Sequence, residues 1–270
     1  MKLILMGTND FVVPVFDDLA NKHDIIGVFT RAPKPMGRKH ILTPSPVHSW
    51  ANSRGLKVYT SIKEFDSISE KPDMIVVFSY GVILRDNVLN AAPCINIHPS
   101  SLPKYRGPSP IRTAILNGDK DMDVCLMAMT AEMDAGDIYM RQNIEIGEND
   151  TNADVEHKVS NVAIKMLDKY MSNPDDYVAQ PQIGEPTFTR KFDGNDEIID
   201  WSKSPIEIHN QIRALGCGRT KINGMDVKIL ETKIENSELR ITRIQPSGKN
   251  PMDWKSFING LRGAEIKYGE

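Results

Sequence analysis

The feature that most constrains this chain is the alternation running through its first 118 residues. Short apolar runs stand at KLILMG (2–7), DIIGVFT (24–30), KVYT (57–60), DMIVVFS (73–79) and CINIH (94–98). Between them lie stretches with helical periodicity. Phe11 to Asn21 carries Val12, Val15, Phe16 and Leu19 along one face. Ser45-Pro46 opens a second helix, with Ser as N-cap and Pro at the first helical position, which stops at Gly55. Pro108 to Asn117 reads as a third, closed by Gly118. This order predicts a doubly wound, Rossmann-like α/β fold around a mainly parallel sheet. Such sheets bind ligands at the carboxyl ends of their strands.

From Asp123 the period changes. DVCLMAMT (123–130) and DIYMRQNIEI (137–146) are strand-like on either side of a short EMDAG turn and predict a hairpin. Thr151 and Asp154 form a capping-box-like opening, with Asp in place of Glu. The helix after them carries Val155, Val159, Val162, Met166 and Tyr170 on one face. Residues 172–186, rich in Pro, Asp and Asn, read as a linker. Ser204-Pro205 then caps another helix, followed by an Asn223-Gly224 turn, alternating Met225, Val227 and Ile229, a strand over 239–245 and a short helix near Asp253. The expected division is a main domain over 1–183, a linker over 184–203, and a small β-rich, barrel-like domain over 204–270.

Composition narrows the class. With 40% hydrophobic and 26% charged residues the chain is ordinary globular material, not a disordered one. Cys94, Cys125 and Cys217 lie far apart with no C-x-x-C pair, which fits a reducing compartment and excludes a cysteine-rich metal site. The apolar start is too short for a signal peptide and no apolar run reaches membrane-spanning length, so a cytoplasmic chain without membrane attachment is expected. The net charge of −3 hides an asymmetry: residues 201–270 hold 12 Lys+Arg against 8 Asp+Glu, leaving 21 against 28 in residues 1–200. A basic tail on an acidic body points toward a polyanionic partner.

The segment CINIHPSSLPKYRGPSPI (94–111) holds the chemistry. Residues two apart on a strand share a face, so Asn96 and His98 project together near the end of a parallel strand. An amide and an imidazole side by side can both donate to a developing oxyanion, and the imidazole can move a proton near neutral pH. The alternative is two satisfied polar groups bonded to loop backbone. Asp134 and Asp137 stand in a Gly-containing turn, where aspartates ordinarily cap backbone; a carboxylate near His98 would also hold an imidazolium or take up a proton. His23, His48, His157 and His209 fall in or beside predicted helices and read as surface residues, and His40 lies in a basic loop. No H-E-x-x-H, P-loop or G-x-G-x-x-G is present, and Gly7 stands alone, so neither a metal nor a dinucleotide is expected.

NIHPSSLPKYRGPSPI together with MDAGDIY resembles the Asn-x-His, S-L-L-P, R-G-x-x-P-I and D-x-G-D elements of the 10-formyltetrahydrofolate-dependent formyltransferases. MGTNDF, GVFTRAPKPMGRKHILTPSPV (27–47), IDWSKSPIEIHNQIRAL and IQPSGKNPMD resemble the branch that formylates methionyl-tRNA. The resemblance implies a catalytic trio of Asn96, His98 and Asp134. It implies a folate-binding loop of Ser100, Ser101, Leu102 and Pro103, and a pterin pocket lined by Tyr80, Gly81, Val82, Ile83 and Leu84. Arg38 and Lys39, in the acid-free loop RAPKPMGRKH (31–40), would approach the tRNA acceptor end and grip phosphates. The implied reaction is formyl transfer from 10-formyltetrahydrofolate to the α-amine of initiator methionyl-tRNA by a monomer. Asn96 and protonated His98 would stabilise the oxyanion, with Asp134 relaying the proton. Three departures stand out: Pro99 replaces a small residue, Ser101 replaces the first Leu of S-L-L-P, and the region after IRAL is abridged. The other readings are an enzyme with the same trio acting on a small amine such as a nucleotide-linked amino sugar, and a tRNA- or folate-binding protein that does not catalyse.

Overall fold

The computed structural model describes residues 1–37, 39–261 and 263–269, which form two compact units. The first takes in residues 1–108, 122–144 and 156–188; the second takes in 109–121, 145–155 and 189–270. In chain order the strands of the first half are β1 (Lys2–Gly7), β2 (Asp24–Phe29), β3 (Lys34–Met36), β4 (Ile41–Thr43), β5 (Val58–Tyr59), β6 (Met74–Phe78), β7 (Cys94–His98), β8 (Asp121–Ala128) and β9 (Ile138–Glu145). The helices are α1 (Val13–Lys22), α2 (Pro46–Ser53), α3 (Asp86–Leu89), α4 (Pro110–Leu116) and α5 (Asn152–Ser172).

One seven-stranded sheet runs in the order β5-β2-β1-β6-β7-β8-β9. Strands β5 through β7 are parallel, and β8 pairs antiparallel with β7. The chain lays down β1, moves outward to β2 and β5, then returns to the other side of β1 for β6 and β7. The reversal therefore falls between β1 and β6, and in open α/β sheets it is at such a reversal, outside the carboxyl ends of the strands, that ligands bind. Leu3, Ile4, Leu5 and Met6 of β1 and Ile75, Val76 and Phe78 of β6 are inaccessible to solvent, as their unbroken apolar runs require. Gly7 closes β1 because a Cβ there would stand 2.8 Å from both the Phe16 ring and the Phe78 carbonyl oxygen. Ser45 Oγ accepts from His48 N at 3.1 Å and starts α2. Thr151 and Asp154 exchange bonds, Thr151 N to Asp154 Oδ2 at 2.9 Å and Asp154 N to Thr151 Oγ1 at 3.3 Å, at the head of α5.

The stretch expected only as a basic loop contains the β3–β4 pairing, with Met36 opposite Ile41. Its apolar residues Met36, Ile41 and Leu42 are exposed, so no burial pattern announced the strands. Lys39 is exposed at the tip, and Arg38 lies outside the described residues.

The second unit adds α6 (Pro205–Leu215), β10 (Gly218–Ile222), β11 (Met225–Glu235), β12 (Glu238–Pro246), β13 (Met252–Asp253) and α7 (Trp254–Gly260). The four strands form an antiparallel sheet in chain order. Asn223 and Gly224, with φ of 48° and 76°, make the turn between β10 and β11 that a two-residue Asn-Gly loop predicts. Ser204 and Glu207 cap α6 reciprocally, and Ile208 and Ile212 pack with Ile199, Ile229 and Ile241. His209, expected on the surface, is only 3% exposed. α6 packs against both α4 and β11, so a polar position beside the apolar stripe is enclosed as well. Among the described residues no helix is long and apolar enough to cross a membrane, and no group of three His, Cys, Asp or Glu is placed to hold a metal ion.

Candidate active site

The end of β7 carries the site. Asn96 sits between Val77 of β6 and Met127 of β8, so the sheet fixes its backbone on both sides. Asn96 and His98 are 7% and 5% exposed on one face of the strand. The Asn96 amide has no hydrogen-bond partner among the described residues. His98 differs. Its Nε2 lies 3.0 Å from the carbonyl oxygen of Tyr105. A carbonyl only accepts, so Nε2 carries the hydrogen. Nδ1 then faces Asp134 Oδ1 at 3.6 Å. In the neutral ring that nitrogen would turn a lone pair at a carboxylate; only the doubly protonated ring makes the contact attractive.

Asp134 is held in place by local geometry. Its Oδ2 accepts from Gly107 N at 2.8 Å, which leaves Oδ1 to the histidine. Its backbone has φ of 51°, a left-handed conformation costly for a residue with a Cβ. Gly136 makes the turn possible, because a Cβ there would lie 1.9 Å from the Ala128 carbonyl oxygen. Ala128 N donates to Asp137 O at 2.8 Å and closes the turn, while the Asp137 side chain is exposed. Ser79, after β6, and Tyr105, after β7, share the left-handed conformation, with φ of 53° and 63°. Strained non-glycine backbone thus gathers where the loops meet the strand ends, the pattern of a functional site.

The two segments expected to hold a cofactor divide into anchors and accessible parts. Tyr80 and Leu84 are buried in the core cluster containing Met6, Val77 and Val88, and burial pushes the Tyr80 phenol up to about 12. Between those anchors Gly81 has φ of 72°, and Val82 and Ile83 are 43% and 79% exposed. In the second segment Leu102 is buried with Cys125, Met127 and Ile138, and Ser101 Oγ accepts from Asp123 N at 2.9 Å. Pro103 follows Leu102 through a cis peptide bond. Ser100 Oγ is buried without a partner among the described residues.

Two residues escaped the sequence reading. Arg106, 8% exposed, donates through Nε and Nη2 to Gln182 Oε1 at 3.2 and 2.9 Å, and through Nη1 to Glu132 Oε1 at 3.1 Å. Gln182 Nε2 donates to the carbonyl oxygens of Asp134 and Gly136 at 2.8 and 2.9 Å. Gln182 belongs to the stretch that composition marked as a linker; no motif or period singles it out. Arg106 stands within the R-G-x-x-P-I element, which was the available signal.

Comparison with known proteins adds sequence-wide similarity. Residues 1–170 match the formyl transferase family, and residues 191–240 match the formyl transferase C-terminal domain. The methionyl-tRNA formyltransferase of Rickettsia bellii is 32% identical over an alignment 301 positions long, gaps included, covering 97% of each chain. That of Jannaschia sp. is 33% identical over 293, again covering 97% of each. Among solved structures, methionyl-tRNA formyltransferase from Clostridium thermocellum superposes with a TM-score of 0.66 at 15% identity, over 91% of this chain and 98% of that one. The N-formyltransferase from Helicobacter canadensis, solved with folinic acid and dTDP-3-aminofucose, gives 0.68 at 22%, over 87% and 88%. At those identities the two structures share the fold with this chain.

Proposed function

This chain belongs to the formyl transferase family, and from that premise we propose that it transfers the formyl group of 10-formyltetrahydrofolate to the α-amino group of initiator methionyl-tRNA. The observation that carries the acceptor is the reach of the similarity. Relatives named methionyl-tRNA formyltransferase align with 97% of this chain, through the basic C-terminal region as well as the site.

The side chains divide the chemistry. The attacking α-amine, ordinarily of pKa about 7.7–8.0, must be neutral to add to the formyl carbon. Asn96, whose amide has no hydrogen-bond partner among the described residues, donates to the oxygen that becomes negative as the carbon turns tetrahedral. His98 is turned to Tyr105 and Asp134, and this pair manages the proton: the nitrogen that attacks gives one up, and N10 of the folate takes one as its bond to the formyl carbon breaks. For the folate, Gly81, Val82 and Ile83 offer exposed backbone and an apolar face to a flat pterin, and Ser100 Oγ is a buried polar atom in want of a partner. Tyr80, Leu84, Ser101, Leu102 and Pro103 hold those two loops in shape.

Residues 1–183 form the catalytic domain in this reading, 184–203 the linker, and 204–270 a domain whose cations engage the acceptor stem. Arg38 and Lys39 contact its phosphates. The protein acts as a cytoplasmic monomer without a metal. The test is formyl transfer from 10-formyltetrahydrofolate to charged initiator methionyl-tRNA, with charged elongator methionyl-tRNA for comparison. Rapid formylation of the initiator with little of the elongator is expected. If folate binds and neither tRNA is formylated, the acceptor is instead a small amine.

A further inference from the structure

We infer that Gln182 is a positioning residue of the active site, fixing the turn that aims Asp134 at His98. The inference rests on the reading of His98 and Asp134 as the proton-handling pair, and it gives a catalytic-site role to a residue of the Pro-, Asp- and Asn-rich stretch 172–186.

The side-chain amide of Gln182 is used at both ends. Nε2 bridges the carbonyl oxygens of Asp134 and Gly136, at 2.8 and 2.9 Å, and so fixes the Asp134–Ala135 and Gly136–Asp137 peptide planes, one at each end of the Ala135-Gly136 pair. Oε1 receives two N–H groups of the buried Arg106 guanidinium, at 3.2 and 2.9 Å. Arg106 adjoins Tyr105, whose carbonyl takes the His98 Nε2 hydrogen, and Gly107, whose N–H holds Asp134 Oδ2. One amide therefore links the loop that orients the imidazole to the turn that presents the carboxylate.

The chain bearing Gln182 is itself fastened on both sides. Gln180 exchanges backbone bonds with Ile138, at 2.8 and 2.9 Å. Arg106 N donates to Thr187 O at 2.8 Å, and Tyr105 N to Thr187 Oγ1 at 2.9 Å. Asp134 needs such restraint because its left-handed backbone is not a conformation it would hold unaided.

Gln182→Glu tests the idea almost isosterically. The carboxylate keeps an acceptor for Arg106 but turns an oxygen, in place of an N–H, toward two carbonyl oxygens. Gln180→Glu adds the same charge two residues away, where the side chain is exposed and, among the described residues, bonds to Val178 O alone, and serves as the control. Single-turnover formyl transfer by Gln182→Glu is expected to fall roughly 10–100-fold from misplacement of the pair, with KM for both substrates nearly unchanged. Gln180→Glu stays within about threefold of wild type, the margin of a surface change. The His98 ring signal in 15N–1H correlation spectra, identified by its loss in His98→Asn, is expected to shift in Gln182→Glu and not in Gln180→Glu. Should Gln182→Glu fail to fold, Gln182→Ala, which removes the donor without adding charge, is read by the same two measurements. Unchanged turnover together with an unchanged His98 signal overturns the inference. If the wild-type protein transfers no formyl group, the proposed function fails, and the spectra alone decide: a shift upholds the role of Gln182, and its absence removes it.

Discussion

His98 and His209 are both buried, and each sets Nε2 against a backbone carbonyl, that of Tyr105 at 3.0 Å and that of Glu148 at 3.1 Å. They part at Nδ1. His98 faces the Asp134 carboxylate, whereas His209 lies 2.8 Å from the Thr232 hydroxyl, which can donate to it. The neutral ring of His209 is thereby fully satisfied, and burial pushes its pKa down from the ordinary value. The same residue type in the same degree of burial is a packing element in one unit and, in the proposed reaction, a proton-handling group in the other. The distinction lies in one neighbour, and in whether that neighbour must be held in a strained backbone to be there. Thr232 sits in strand β11, just past a register shift at Glu231, with no left-handed backbone; Asp134 sits in a left-handed turn that only a glycine two residues on allows.

Changing that neighbour is the sharpest way to break the comparison. Asp134→Asn can keep the Gly107 bond through its oxygen while turning an NH2 at His98 Nδ1, which makes the neutral ring the better partner, as at His209. Formyl transfer is expected to fall roughly 10²–10⁴-fold, the range for losing acid–base assistance, with little change in melting temperature. Asn96→Ala removes the unclaimed donor and is expected to cost about 10²–10³ in rate; turnover within a few-fold of wild type would remove Asn96 from the mechanism. Next in size is Gly136→Ala. With a Cβ 1.9 Å from a backbone oxygen the turn must shift, which costs about 1–3 kcal/mol in urea unfolding if it behaves as overpacking elsewhere does, with loss of turnover as Asp134 moves.

The comparison also separates what the sequence could disclose from what it could not. The strands on either side of the β1–β6 reversal were legible because they are buried on both faces and read as unbroken apolar runs. The starts of α2, α5 and α6 were legible because Ser45, Thr151 and Ser204 satisfy helix N–H groups locally. Strand parity alone put Asn96 and His98 on one face. Nothing local, however, brings Asp134 to His98 across 36 residues; family resemblance supplied that pairing before the geometry did. Gln182 was hidden for a related reason. An irregular segment has no period, so its contacts are decided wholly by what it lies against. His209 was misplaced because helical periodicity marks the apolar stripe of α6 but not the polar residue beside it, which a second packing partner encloses.

Two smaller effects test the other half of the comparison. Thr232→Val strips His209 of its hydroxyl while keeping the shape, and about 1 kcal/mol of stability should go with it while formyl transfer is untouched. The subtlest effect is in pH. The unfolded chain takes up a proton at His209 near 6.5, the folded protein only at lower pH, so below about 6.5 the unfolded state holds more protons. The stabilisation is complete above that point and is lost as pH falls, with a slope that cannot exceed about 1.4 kcal/mol per pH unit for one group. Glu148 and Arg213 act on the ring in opposite senses, so burial sets the direction. Urea unfolding at pH 7.5 and 5.5 should therefore show wild type losing more stability on acidification than His209→Gln. An equal loss would place the acid sensitivity elsewhere, His23 being the other histidine that burial pushes down, and would leave His209 with a hydroxyl partner but no part in the pH response.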